Sequence, residues 1–254
     1  ATQDLTGKPA GVYSVIVTDA NGCTASMSVT LTQPTAITST ETHVNVSCNA
    51  TSTGSATVTA AGGVAPYSYA LAAATNTTGI FTGLAVGSYT ITITDANGCT
   101  KTQVVVITQP ATLAATFTQT NINCNAASTG GYVVTSSGGT SPYTYSVNGG
   151  AFGTPGATFT QTGQAAGTYN VIVKDAQGCT FPVTITLTQP TPLVLTETHV
   201  NILCNGANTG IINAAASGGI GTIQYSKNGT VYQANGMFTN LIAGTYTIYA
   251  KDAN

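Results

Sequence analysis

The sequence of 254 residues has no arginine and no tryptophan, and only 12 charged side chains in all, 5 Lys and 7 Asp or Glu, for a net charge of −2. A chain without a basic face gains nothing from releasing phosphate counterions, which excludes nucleic acid as a partner. Apolar runs are short: none approaches the roughly 20 residues that span a bilayer, so no membrane insertion is expected. The first residues, ATQDLTGKP, have neither the charged start nor the apolar centre of a signal peptide. No Gly-x-Ser-x-Gly elbow and no CxxC pair occurs, and the two histidines stand in no triad-like order. The expectation is a protein that is not an enzyme and carries no cofactor. Abundant Thr, Ser, Ala and Gly with little charge resemble a disordered composition, but disordered chains lack the Val, Ile and Tyr alternation found here.

That alternation is clearest between Gly87 and Pro110, GSYTITITDANGCTKTQVVVITQP. Tyr89, Ile91 and Ile93 alternate with threonines, the two-residue period of a strand with one buried face. Asp95-Ala96-Asn97-Gly98 supplies turn residues that tolerate positive φ. Cys99 opens a second strand, which Pro110 ends because it cannot donate to a ladder. The same hairpin recurs at Gly11 to Pro34 and Gly167 to Pro190, and begins again at Gly244. The aspartates of the four copies, Asp19, Asp95, Asp175 and Asp252, lie 76, 80 and 77 residues apart. Repetition at that spacing predicts an array of small domains rather than one large fold.

The expected division is 1–35, the C-terminal part of a repeat; 36–110 and 111–190, two repeats; and 191–254, a repeat lacking its last strand. Residue 1 falls inside a repeat, which predicts an internal fragment of something longer. Each later segment starts after a Gln-Pro linker with an extended stretch, here named strand A, ending at Cys48, Cys124 or Cys204. A second strand follows and stops at Gly62-Gly63, Gly138-Gly139 or Gly218-Gly219. Next come a Tyr-rich strand, a short strand near Phe81, Phe159 or Phe238, and the hairpin. A short strand is also expected around Leu5. About seven short strands per unit, with turns every 8 to 12 residues, predict an antiparallel sandwich. Tyr89 and Tyr246, each two residues after Gly in Leu-x-x-Gly-x-Tyr, resemble the tyrosine corner of immunoglobulin-like domains. The fold class expected is all-β, a tandem array of Ig-like antiparallel β-sandwiches forming an elongated rod.

With GGxxPYxY, LxxGxY, TDANGC and TQP all in register, the repeats resemble the SprB repeat of Bacteroidetes gliding adhesins and giant cell-surface proteins. Gly62 to Pro110 and Gly138 to Pro190 carry the resemblance best; the last repeat lacks the Pro-Tyr pair, and the first lacks its front half. The resemblance implies an extracellular, cell-surface protein exported by type IX secretion and acting in adhesion or gliding motility.

Six cysteines, Cys23, Cys48, Cys99, Cys124, Cys179 and Cys204, fall two to a repeat, one ending strand A and one opening the last strand. Outside the cell such spacing reads as a disulfide framework. Three connectivities are open. Pairing within a repeat (Cys48 with Cys99, Cys124 with Cys179) must bridge opposite poles of a sandwich roughly 30 Å long, whereas a disulfide needs Cα atoms within about 7 Å. Pairing between neighbours (Cys48 with Cys179) is favoured by that argument. Pairing across the linker (Cys23 with Cys48, Cys99 with Cys124, Cys179 with Cys204) is favoured by a constant separation of 25 residues.

Other chemistry is thinner. His43 and His199 match in position, but the middle repeat has Gln119, so both are expected to be exposed strand residues and no metal site is expected. Asp19, Asp95 and Asp175 are each the lone acid of a turn, far from the six to eight oxygens Ca²⁺ takes. Lys101, Lys174, Lys227 and Lys251 lack the acids an isopeptide crosslink with Asn needs, and the sequons at Asn45, Asn49, Asn76 and Asn228 are read as accidental. Two functions are expected in competition. One is a stiff disulfide-stapled stalk whose partners are neighbouring repeats and other copies in a fibre. The other is a module that binds polysaccharide or a solid surface through its loops and Tyr67, Tyr69, Tyr143 and Tyr145.

Overall fold

The computed structural model describes residues 6–254, all strand, turn and loop with no helix among them; the strand expected around Leu5 lies outside the described residues. The chain divides into two compact units, Ala1–Gln109 and Pro110–Asn254.

In the first unit, β1 (Gly11–Thr18) and β2 (Thr24–Leu31) form an unbroken antiparallel hairpin. There follow β3 (Thr38–Val44), β4 (Gly54–Ala61), β5 (Ser68–Leu71), β6 (Ala74–Asn76), β7 (Ile80–Leu84), β8 (Gly87–Thr94) and β9 (Thr100–Ile107). These seven build two sheets, β3-β4-β7 and β6-β5-β8-β9. In the second unit, β10 (Ala114–Thr120), β11 (Gly130–Ser137), β12 (Thr144–Val147), β13 (Thr158–Gln164), β14 (Gly167–Lys174) and β15 (Thr180–Leu187) repeat the plan as β10-β11-β13 and β12-β14-β15. The last repeat has β16 (Val194–Val200), β17 (Gly210–Ser217), β18 (Gln224–Ser226), β19 (Met237–Leu241) and β20 (Tyr249–Lys251), paired as β16-β17-β19 and β18-β20. The repeats are Ig-like β-sandwiches.

The alternation in the sequence becomes the core. Ile91 and Ile93 of β8 and Val105 and Ile107 of β9 face Val58 and Phe81 of the other sheet, all buried. Val171, Val173, Ile185 and Leu187 do the same against Val134 in the next repeat. Each such side chain contributes about 1.5–3 kcal/mol relative to exposure. The intervening threonines are left on the outer face of the hairpins, where a β-branched polar residue suits a wet pleated surface.

The last repeat has a thinner core, in which the buried apolar side chains are Tyr225, Phe238 and Leu241. Among the described residues no strand corresponds to β9 or β15, and the residues from Gly244 to Ile248 stay out of the ladder that β8 and β14 form over their whole lengths. A strand whose edge partner is missing has half its backbone groups unpaired, and here it pairs over three residues only.

Candidate functional site

Each sandwich has two structured poles, and the cysteines sit one at each. At the turn pole, only the glycine of Asp-Ala-Asn-Gly takes positive φ, +81° at Gly98, +86° at Gly22 and +86° at Gly178. The turn is closed instead by its aspartate. Oδ1 of Asp95 accepts the N–H groups of Asn97 and Cys99 at 3.0 and 2.9 Å, and Oδ2 accepts Val64 N–H at 3.0 Å. Asp175 is held alike by Gln177, Cys179 and Thr140, and Asp252 by Asn254 and Ile220. Burial pushes the Asp95 carboxyl up, but the backbone donors Val64, Cys99 and Asn97 outweigh it and hold it below its ordinary value. Asp252 is also lowered, by the N–H groups of Ile220 and Asn254.

The paired glycines serve this contact. A Cβ on Gly63 would stand 2.7 Å from Asp95 Oδ2, and one on Gly139 would stand 2.6 Å from Asp175 Oδ2. Only hydrogen leaves room for the carboxylate.

At the loop pole, the segment after strand A is clamped to the end of the last strand. Asn45 Oδ1 accepts Thr108 N–H at 2.8 Å, and Gln109 Oε1 accepts the N–H of Ala50 at 3.0 Å. Asn121 with Thr188 and Gln189 with Ala126 repeat the pair at 3.0 and 2.9 Å. Ala50 and Ala126 take the left-handed conformation, φ +59° and +60°, where the last repeat has Gly206. Thr-Gln-Pro, read from sequence as a linker, thus belongs to the domain through its glutamine. The signal was present in the recurrence of Asn three residues before each strand-A cysteine, but nothing in one sequence says what a recurrent amide binds.

These poles lie at the two ends of β9 and β15, 8 residues each, or about 26 Å. Cys23, Cys99, Cys124 and Cys204 are free thiols, while Cys48 and Cys179 are disulfide-bonded. Neither the pairing within repeats nor the pairing across linkers is therefore present, since each needs at least one of the free cysteines.

The tyrosines are structural. Tyr13, Tyr89, Tyr169 and Tyr246 donate to the carbonyls of Pro9, Ala85, Ala165 and Ile242, each four residues upstream. Of the four tyrosines expected at the surface, Tyr69 and Tyr145 are buried. Tyr69 Oη accepts Ala60 N–H, and the Tyr145 hydroxyl meets Ser136 Oγ at 2.8 Å. Tyr67 and Tyr143 are half-buried against the cores with hydroxyls donated to Gly62 and Gly138. Burial of these rings follows from the pleat, because Tyr69 and Tyr145 share the inward face with the residues beside them across β8 and β14.

His43 and His199 are exposed and meet Glu41 and Glu197 at 3.1 and 3.2 Å, two residues back on the same strand face. Surface pairs of this kind contribute little. Among the described residues no group of three or more His, Cys, Asp or Glu is placed to hold a metal. Lys174 and Lys251 lie over the rings of Phe152 and Tyr232. A groove of about 830 Å³ in the last repeat is lined by Leu195, Gly210, Ile212, Leu241 and Ile248. In the two full repeats the last strand fills this place: a Cβ on Gly54 would stand 2.8 Å from Ile107, and one on Gly130 would stand 3.0 Å from Leu187.

The SprB repeat family matches residues 40–76, 116–152 and 196–230. Three SprB repeats are thus present, and the matches fall on the strand-A loop, β4 and the Tyr-rich strand and their equivalents. The last repeat is matched as well, although it lacks the Pro-Tyr pair. No curated protein matches. Solved structures similar to the chain include three N-terminal domains of the bacteriophage RB49 highly immunogenic outer capsid protein, at 16% identity, 80% coverage of each chain and a TM-score of 0.39. The N-terminal four Ig domains of Dscam1 isoform 1.9 are similar over 71% of this chain and 41% of that one, at 14% identity and a TM-score of 0.23. The chain thus carries three matches to the SprB repeat family along its length.

Proposed function

We propose that these repeats form a disulfide-stapled stalk segment of a large extracellular adhesin or fibre, exported by type IX secretion and serving adhesion or gliding. The observation that carries the reading is the state of the cysteines: Cys48 and Cys179 are disulfide-bonded and the other four are not. Cys48 belongs to the loop pole of one repeat and Cys179 to the turn pole of the next, the poles that a head-to-tail order of repeats would bring together. We therefore assign the bond to Cys48 with Cys179. Such a bond encloses two sandwiches and the joint between them, so a pull along the chain passes through sulfur and bypasses the 131 residue steps from Cys48 to Cys179. A bond of this kind suits an oxidising compartment outside the cell.

Force extension of single chains tests the reading. The oxidised chain should stop short of the reduced one by about 430–470 Å, the contour of the bypassed segment at 3.3–3.6 Å per residue. No difference between the two states would contradict it. A stalk also predicts no retention on agarose or clean glass, and retention there would favour a surface-binding module instead.

A further inference from the structure

We infer that Cys124 is a second stapling site, taking the cysteine that follows the Asp-Ala-Asn turn of the next repeat, so that successive disulfides overlap along the array. This rests on the stalk reading. Its own observation lies inside the second unit. Asn254 donates its side-chain Nδ2–H to the carbonyl of Asn123 at 3.2 Å, across 131 residues. Asn123 precedes Cys124, which is an exposed free thiol. Asn254 is the third residue of the Asp252-Ala253-Asn254 turn, and in the three other copies, Asn21, Asn97 and Gln177, a cysteine follows two positions later, at Cys23, Cys99 and Cys179. The turn of one repeat thus stands on the cysteine loop of the repeat before it. The same two places in the preceding pair of repeats are held by Cys48 and Cys179, the two disulfide-bonded residues.

The turn is built to present that cysteine. Its N–H is fixed on the aspartate Oδ1 at 2.8 Å in Cys23, 2.9 Å in Cys99 and 2.8 Å in Cys179, and Asp252 Oδ1 accepts the N–H of Asn254 as the other turn aspartates accept those of Asn21, Asn97 and Gln177. On the other side, Gln189 and Asn121 tie the Cys124 loop to the end of β15. Both halves are therefore anchored to their own sandwiches before any bond forms.

Closing the bond removes two thiol protons and two electrons, and a low-molecular-weight disulfide such as oxidised glutathione accepts them. The Cys124 thiolate attacks one sulfur of the oxidant and expels one glutathione thiolate. The second cysteine's thiolate then attacks the Cys124 sulfur of the mixed disulfide and expels the other. Because Cys124 lies between Cys48 and Cys179 in sequence, each staple begins inside the loop closed by the previous one. Every stretch of such an array then lies inside at least one closed loop.

The test appends Gly-Cys-Thr after Asn254, copying Gly98-Cys99-Thr100, and treats the chain with oxidised glutathione before digestion without reductant and mass spectrometry. The expected product is one peptide pair joining Cys124 to the appended cysteine. The same extended chain with Cys124→Ser should keep its thermal transition and leave the appended cysteine as a glutathione adduct. A bond from the appended cysteine to Cys204, or a glutathione adduct in the presence of Cys124, would overturn the inference. Either result leaves the stalk reading standing, since the force measurement reads only the Cys48 bond.

Discussion

The carboxylate of Asp95 and the backbone N–H of Val64 meet at 3.0 Å across 31 residues, fastening the hairpin turn to the loop between β4 and β5. One side chain thereby shapes its own turn and locks the pole that carries Cys99.

Acid should weaken that lock. The folded carboxyl of Asp95 titrates below its ordinary value of 3.8. Its contribution is therefore complete above that value and is lost as pH falls through the folded pKa. Asp95→Asn should lower the melting temperature at neutral pH and flatten its fall in acid. The check is thermal unfolding by circular dichroism from pH 7 to pH 2, and parallel curves for the two proteins would refute the assignment.

Gly98 and Gly63 should fail for different reasons. Gly98 has open space around a Cβ but φ +81°; Gly98→Ala should cost about 1–2 kcal/mol from the left-handed backbone alone, and Gly98→Val more. Gly63→Ala adds the 2.7 Å clash with Asp95, so it should exceed Gly98→Ala in denaturant titrations. Thr92→Ser should change little.

Two buried hydroxyls in the 111–190 repeat should respond in opposite directions. Tyr132 Oη is buried without a partner, and burial, with Tyr169 nearby, pushes its pKa up. Tyr132→Phe should leave stability unchanged or raise it. Tyr145→Phe strands Ser136 and should cost about 1–3 kcal/mol. Equal losses in the two variants would contradict this reading of the core.

Gln189→Ala should free the Ala126 N–H that Gln189 now holds at 2.9 Å. Hydrogen exchange at Ala126 should accelerate while Val171 and Ile185 stay protected. Unchanged exchange at Ala126 would mean that the glutamine does not clamp the cysteine loop.

The strands and the tyrosine corners were legible because period-two alternation and Leu-x-x-Gly-x-Tyr are local patterns. Tyr69 and Tyr145 were misplaced because Pro-Tyr-x-Tyr alternates with small polar residues, and its inward face is decided by pairing with β8 and β14 rather than locally. The turn aspartate was read as hairpin chemistry, but its hold on Val64 depends on a loop 31 residues away. The amide clamps of Asn45 and Gln109 span 63 and 59 residues, which no spacing rule reveals. For the cysteines, sequence spacing left three pairings open, and what bears on them is the length of β9, 8 residues from the turn pole to the loop pole.

Peptide mapping without reductant tests the central claim most directly. The chain is alkylated in its folded state, digested, and its linked peptides sequenced by mass spectrometry. The account predicts one linked pair, Cys48 with Cys179, and alkylated Cys23, Cys99, Cys124 and Cys204. Cys48 linked to Cys99 or to Cys23 would contradict it.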